Sequence, residues 1–336
     1  MKNYSVRMVW PAAILASCLL VSLDNKPVPA QELPKTEDAK VSGSAGYAGV
    51  PASPSRDIGG VVHRLDLIYR IVNGKALMLD VVCPPSGEGP FPAVVLVHGA
   101  GPVNQGKKGT LPLARELACK GYVAVAVTYR YTSEDKFPAP IEDVNCAIRW
   151  LRDHADQYKV DKDRIGVVGF SCGGTLACLL GMQAGNSGRL RAIVSFYGTT
   201  DFARLHEFCQ RKVNDEKASL IEKMQCGFIM KELEKWLGGP PSKVPEQYDL
   251  ASPLLQVSKD SPPLLLIHGG DDHVVPVEQS QLLAAKLQES GRLVNLLVVG
   301  GVGHAFDAKN GTNGHLAYAA VLAFLDDHLL AIKGKP

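Results

Sequence analysis

Six short segments of this chain are almost continuously apolar: residues 93–97, 122–129, 165–170, 192–196, 264–267 and 294–299. A strand with one wet face would alternate, so unbroken runs of this length predict strands buried on both faces of a sheet. Residues 61–69 and 76–83 add two further strands, read as an edge hairpin. Between the runs the period lengthens to that of a helix. Ile141, Val144, Ile148 and Leu151 recur at helical spacing with charges between them. Leu282, Leu283, Ala285 and Leu287 lead to Gly291, a helix-ending residue. Strand alternating with helix predicts the α/β class: a mostly parallel, eight-stranded sheet flanked by helices.

Three regions break this rhythm. Residues 201–252 carry charged, helix-like stretches (216–237) and then Gly238-Gly239-Pro240-Pro241 between two buried strands, which predicts a helical cap inserted into the sheet domain. Residues 31–57 are rich in Pro, Ala, Ser and Gly with no apolar period, and read as a flexible linker ahead of a domain over 58–334. Residues 1–30 open with Lys2 and Arg7, run apolar from Met8 to Leu23 and end in Val28-Pro29-Ala30, the layout of a secretory signal peptide. That reading puts the mature chain outside the cytoplasm, secreted or periplasmic. The rival is a lipobox at Leu15-Ala16-Ser17-Cys18, with Cys18 lipidated; the apolar run is short for a membrane span, so none is expected in the mature form.

Composition narrows the function classes. Of 336 residues, 46% are hydrophobic and 21% charged, as in ordinary globular enzymes. Loss of the leader would remove Lys2, Arg7, Lys26 and Asp24 from totals of 36 basic and 34 acidic residues, leaving the two signs equal. With no net charge and no basic cluster, a nucleic-acid partner is not expected. Cys83, Cys119, Cys146 and Cys178 lie in apolar segments and are expected as buried small hydrophobes, whereas Cys209 and Cys226 flank a polar insert and could pair under oxidising conditions.

The candidate chemistry begins at Gly169-Phe170-Ser171-Cys172-Gly173, a G-x-S-x-G match between a buried strand and an apolar helix at 174–180. A nucleophile elbow requires that context, and it makes Ser171 the candidate nucleophile rather than Cys172. A neutral hydroxyl needs a base and an oriented acid. Asp271 and Asp272 compete for the acid role after the strand 264–267, and Asp272 has the better spacing to Val274, Val275 and Pro276. His304, in a glycine-rich loop after the last strand, is the candidate base among nine histidines; His98 and His268 end strands and are expected to brace backbone. Of the two oxyanion donors, one should be the N–H of Cys172 and the other a backbone N–H of His98-Gly99-Ala100-Gly101, with Ala100 ahead of Gly99. No H-E-x-x-H motif and no close His/Cys cluster is present, so no metal or cofactor is expected.

Taken together, His98 to Gly101, Tyr129-Arg130, residues 137–143, residues 161–166, Gly169 to Gly174, Ala251-Ser252-Pro253, His268 to Pro276 and Gly303-His304 resemble the α/β-hydrolase carboxylesterases. The likeness is to the bacterial feruloyl and acetyl esterase-like branch, with kinship to lipases and to prolyl oligopeptidase catalytic domains. It implies cofactor-free hydrolysis of small-molecule or carbohydrate esters by the Ser171–Asp272–His304 set. Tyr129, Arg130 and Asp143 carry over as structural positions. The chain departs from the family in having Ala100 and Pro102 where HGGG and an aromatic residue are common. A peptidase of the prolyl oligopeptidase kind and a non-catalytic binding module on the same scaffold are the alternatives.

Overall fold

A computed structural model describes residues 7–8, 56–58, 60–99, 106–131, 135–183, 188–308 and 312–330. The expected leader and linker lie almost wholly outside the described residues, as does Ala100. Eight strands form the body of one sheet: β1 Val61–Val72, β2 Lys75–Cys83, β3 Phe91–Val97, β4 Val123–Val127, β5 Val160–Phe170, β6 Ala192–Phe196, β7 Leu264–Gly269 and β8 Val294–Val299. Their spatial order is β8-β7-β6-β5-β3-β4-β2-β1. The six strands from β8 to β4 pair in parallel, and β2 and β1 join antiparallel at one edge. Two short segments lengthen the expected eight-stranded sheet to ten strands: Arg56–Ile58 beside β1 and Arg7–Met8 beside β8.

The apolar runs explain the layering. Along β3, Ala93, Val95 and Val97 belong to one buried cluster while Val94 and Leu96 belong to the other. Each strand feeds both faces because successive side chains point opposite ways. One face is covered by α2 (Ala139–Asp153), α3 (Cys172–Met182) and α7 (Glu278–Glu289), the other by α1 (Leu111–Cys119) and α8 (Thr312–Leu325). Cys178 is buried and Cys83 and Cys146 are half-buried, but Cys119 is exposed, contrary to expectation. It ends α1 on the side away from the buried stripe of Leu113, Ala114, Leu117 and Ala118.

The insert between β6 and β7 folds as α4 (Phe202–Asn214), α5 (Leu220–Leu237) and α6 (Pro245–Ala251). Asp201 caps α4 by accepting from the Arg204 N–H, and Ser219 with Glu222 forms a capping box on α5. These sequence signals satisfy backbone donors at each helix start. Leu205, Cys209 and Cys226 pack in a small cluster of their own, where Cys209 and Cys226 meet as unbonded thiols. Trp236 joins the insert to the main domain, its ring 5.5 Å from Phe137 and 5.3 Å from Phe202. The insert thus leaves the sheet at the C-terminal end of β6, the end that carries the candidate chemistry, and returns beside it where the Leu254 N–H donates to the Thr200 carbonyl at 2.9 Å.

Candidate active site

Ser171 stands on the turn between β5 and α3 with φ of 54° and ψ of −120°. That is a strained conformation for a non-glycine residue, and it is held from both sides. The Ser171 N–H donates to the Phe196 carbonyl at 2.9 Å, and its carbonyl accepts from the Thr175 N–H at 3.1 Å. The elbow packs so tightly that a Cβ on Gly173 would lie 2.3 Å from the Val97 carbonyl oxygen, and one on Gly169 2.0 Å from the Gly173 carbonyl oxygen. The two motif glycines are therefore required by backbone contact. Cys172, the first residue of α3, is at the helix end where the macrodipole favours negative charge.

His304 comes to Ser171 from the loop after β8. Its Nε2 is 2.9 Å from Ser171 Oγ, and its Nδ1 is 2.7 Å from Asp272 Oδ2. Asp272 follows β7 and is buried, whereas its neighbour Asp271 is exposed and uses its backbone N–H on the Val302 carbonyl. Four donors converge on the Asp272 carboxylate. The N–H groups of Val274 and Val275 both reach Oδ1 at 2.9 Å, His304 reaches Oδ2, and His268 Nε2 is 3.3 Å from Oδ2. Burial alone would raise its pKa, but the hydrogen bonds from His268 and His304 outweigh it and hold the carboxyl well below the usual carboxylate range. An ionised carboxylate only accepts, so His304 Nδ1 carries the proton, Nε2 is the acceptor and the Ser171 hydroxyl donates to it. The arrangement can draw a proton off Ser171 while stabilising the imidazolium that results.

His268 does more than brace backbone. Its Nε2–H is shared between Asp272 and the Val275 carbonyl, the latter at 2.8 Å, and its Nδ1 accepts from the Ser280 hydroxyl at 2.7 Å, which fixes the ring beside Asp272. Sequence reasoning missed that contact, and it missed Tyr197 and Asp307. The Tyr197 ring lies 4.5 Å from the His304 ring, and its hydroxyl donates to Asp307. Burial raises the Asp307 carboxyl, against the hydrogen bond from Tyr197 and the charge of His304. Asp307 is three residues from His304 in the same loop, and Tyr197 directly follows β6; strand-end position was the signal available.

Of the two oxyanion candidates, Ala100 lies outside the described residues and Cys172 opens α3 beside the nucleophile turn. The loop after β3 starts firmly: the His98 carbonyl accepts from the Tyr129 hydroxyl at 2.6 Å, and the two rings stack at 4.5 Å. Its far end is tied where Lys107 pairs with Asp80 and Asp66, on β2 and β1. Arg130 and Asp143 form a bidentate ion pair, with Nε to Oδ2 at 2.7 Å and Nη2 to Oδ1 at 2.9 Å, and Arg70 adds a third contact to Asp143 at 2.7 Å. This pair, with Asp143 buried and Arg130 half-buried, fixes α2 against the strand edges and takes no part in the Ser171 cluster.

A mostly parallel sheet in this strand order, with a serine on a strained strand-to-helix turn, is the α/β-hydrolase fold. The chain belongs to the BD-FAE family, whose profile matches residues 79–287. It is similar to Esterase LipC of Mycobacterium tuberculosis, 29% identical over 283 residues, covering 79% of this chain and 65% of that protein. The chain therefore spans just under two thirds of that relative's length. Among solved structures it is similar to EstE1, a carboxylesterase cloned from a metagenomic library, with 25% identity, a TM-score of 0.61 and coverage of 83% of this chain and 90% of the other. It is also similar to an acetyl ester-xyloside bifunctional hydrolase from Caldicellulosiruptor lactoaceticus, with 25% identity, a TM-score of 0.57 and coverage of 76% and 86%. Among the described residues, no helix is long and apolar enough to cross a membrane.

Proposed function

We propose that this protein is a serine carboxylesterase working through an acyl-enzyme, with Ser171 as nucleophile, His304 as general base and acid, and Asp272 as the orienting carboxylate. The observation that carries the reading is the continuous hydrogen-bonded line from Ser171 Oγ through His304 to Asp272, at 2.9 and 2.7 Å. Ser171 Oγ attacks the ester carbonyl carbon as His304 Nε2 takes its proton. The oxyanion formed is held by the Cys172 N–H and by an N–H of the loop after β3, for which Ala100 is the candidate. His304 returns the proton to the departing alcohol, and water, activated by the same imidazole, releases the acid. No metal or cofactor enters these steps.

The substrates we assign are small acyl esters, including acetyl or feruloyl esters of carbohydrates, in line with esterase relatives and with a neighbour described as an acetyl ester-xyloside hydrolase. Export by the leader would bring the enzyme to such substrates outside the cytoplasm. The test is turnover of p-nitrophenyl esters from acetate to octanoate, beside methyl ferulate and acetylated xylan. Hydrolysis is expected to be fastest among the short acyl esters and to extend to the acetylated polysaccharide. A folded protein that cleaves no ester in the panel would contradict the reading.

A further inference from the structure

The end of the sheet opposite Ser171 holds a cavity of about 260 Å³ lined by Arg189, Arg191, Arg292, Pro262, Asp327 and His328. Its position follows from the topology. Arg191 immediately precedes β6, Pro262 lies just before β7 and Arg292 just before β8, whereas Ser171, Asp272 and His304 all follow strands. We propose that this cavity is a binding site for a small dianionic oxyanion ligand, a phosphate monoester or a dicarboxylate.

Three observations carry the proposal. First, the guanidiniums are positioned by backbone. Arg191 Nε donates to the Asp163 carbonyl at 3.0 Å and Arg292 Nε to the Ser261 carbonyl at 2.8 Å. Each side chain is thus anchored through Nε, which leaves the Nη pairs as the fork that matches carboxylate, sulfate or phosphate oxygens. The turn bearing Arg189 is pinned in turn, its carbonyl accepting from Arg152 Nη2 at 3.1 Å. Second, the positive charge is only partly compensated. Among the described residues none of Arg189, Arg191 and Arg292 makes an ion pair with a carboxylate; Asp161 feels the charge of Arg191 but is hydrogen-bonded to Arg164 at 2.7 Å. Asp327 on the rim and Asp163 beside Arg152 offset only part of the charge of Arg152, Arg189, Arg191 and Arg292. Third, the cationic groups, with Asp327 at the rim, line a concavity, where an excess of one sign of charge concentrates counter-ions far more than on a flat surface. Pro262 is buried and supplies an apolar floor for the carbon part of a ligand.

The proposal is independent of the esterase reading. The test is calorimetric titration of the whole protein with inorganic phosphate, glucose 6-phosphate and succinate at fixed ionic strength, with chloride as the control anion. Wild type should bind at least one of the three, and whichever binds most tightly assigns the class of ligand. Arg292→Gln and Arg189→Gln should each weaken that binding by about tenfold or more, as expected for loss of one charge-assisted contact. Both variants should retain full ester turnover, which reports an intact fold. Absence of binding by wild type, a chloride control giving the same heat, or binding unchanged in both variants would overturn the proposal.

Discussion

Replacing Ser171 by alanine should lower kcat on short-chain esters by about 10⁴- to 10⁶-fold with little change in the unfolding temperature. The expectation is large because the substitution removes the atom that forms the acyl bond. The candidate oxyanion donors remain and still offer some rate enhancement over water. Stability should hardly move, because the elbow depends on backbone contacts that alanine keeps: the residue 171 N–H to the Phe196 carbonyl, and the Thr175 N–H to the residue 171 carbonyl. Turnover and thermal unfolding measured on the same preparation check both halves. Substantial residual activity in a folded Ser171→Ala protein would mean that another group attacks the ester, with Cys172 the first suspect.

The second large effect concerns the two adjacent carboxylates. Asp272→Asn should reduce kcat by about 10⁴-fold, the scale on which wrong-tautomer substitutions act in Ser-His-Asp enzymes. Asparagine can still accept from Val274 and Val275 through its carbonyl oxygen, so the loop should persist. Its amide would then face His304 Nδ1 and donate to it, placing the imidazole proton on Nε2, where Ser171 needs an acceptor. Asp271→Asn alters an exposed side chain whose backbone N–H makes the loop contact, and should change kcat by less than about twofold. Steady-state kinetics on the two variants checks the ranking. An Asp271→Asn loss equal to or greater than that of Asp272→Asn would assign the acid to the wrong residue.

Much of the fold is legible because its strands are buried on both faces. The runs at 93–97, 192–196 and 294–299 could not be mistaken for wet strands, and β3, β6 and β8 occupy them. Where a strand begins in polar residues, its boundary is hidden. β5 starts at Val160, ahead of Asp161, Lys162 and Asp163, because Val160 pairs across to Phe91, and only the partner strand reveals that. Helix α4 was less visible, since Phe202, Leu205 and Cys209 form a narrow stripe within a charged segment. The chain order of Ser171, Asp272 and His304 is a sequence property, and the side chains meet because each follows a neighbouring parallel strand or the turn beside it. What the sequence could not convey was lateral: His268 against Asp272, and the Tyr197 ring against His304 with Asp307 behind it. The first depends on how the turn after β7 folds back on its own strand and the second on how the ends of β6 and β8 lean together, which no local pattern encodes.

If Ser171 Oγ forms the covalent intermediate, a serine-reactive alkyl fluorophosphonate should trap it, with intact-protein mass spectrometry reading the adduct. Wild type should label stoichiometrically, lose ester turnover in step with labelling, and carry an adduct that peptide mapping places on Ser171 and that Ser171→Ala does not form. An adduct on Cys172 or elsewhere, or unimpaired hydrolysis by fully labelled protein, would contradict that role for Ser171.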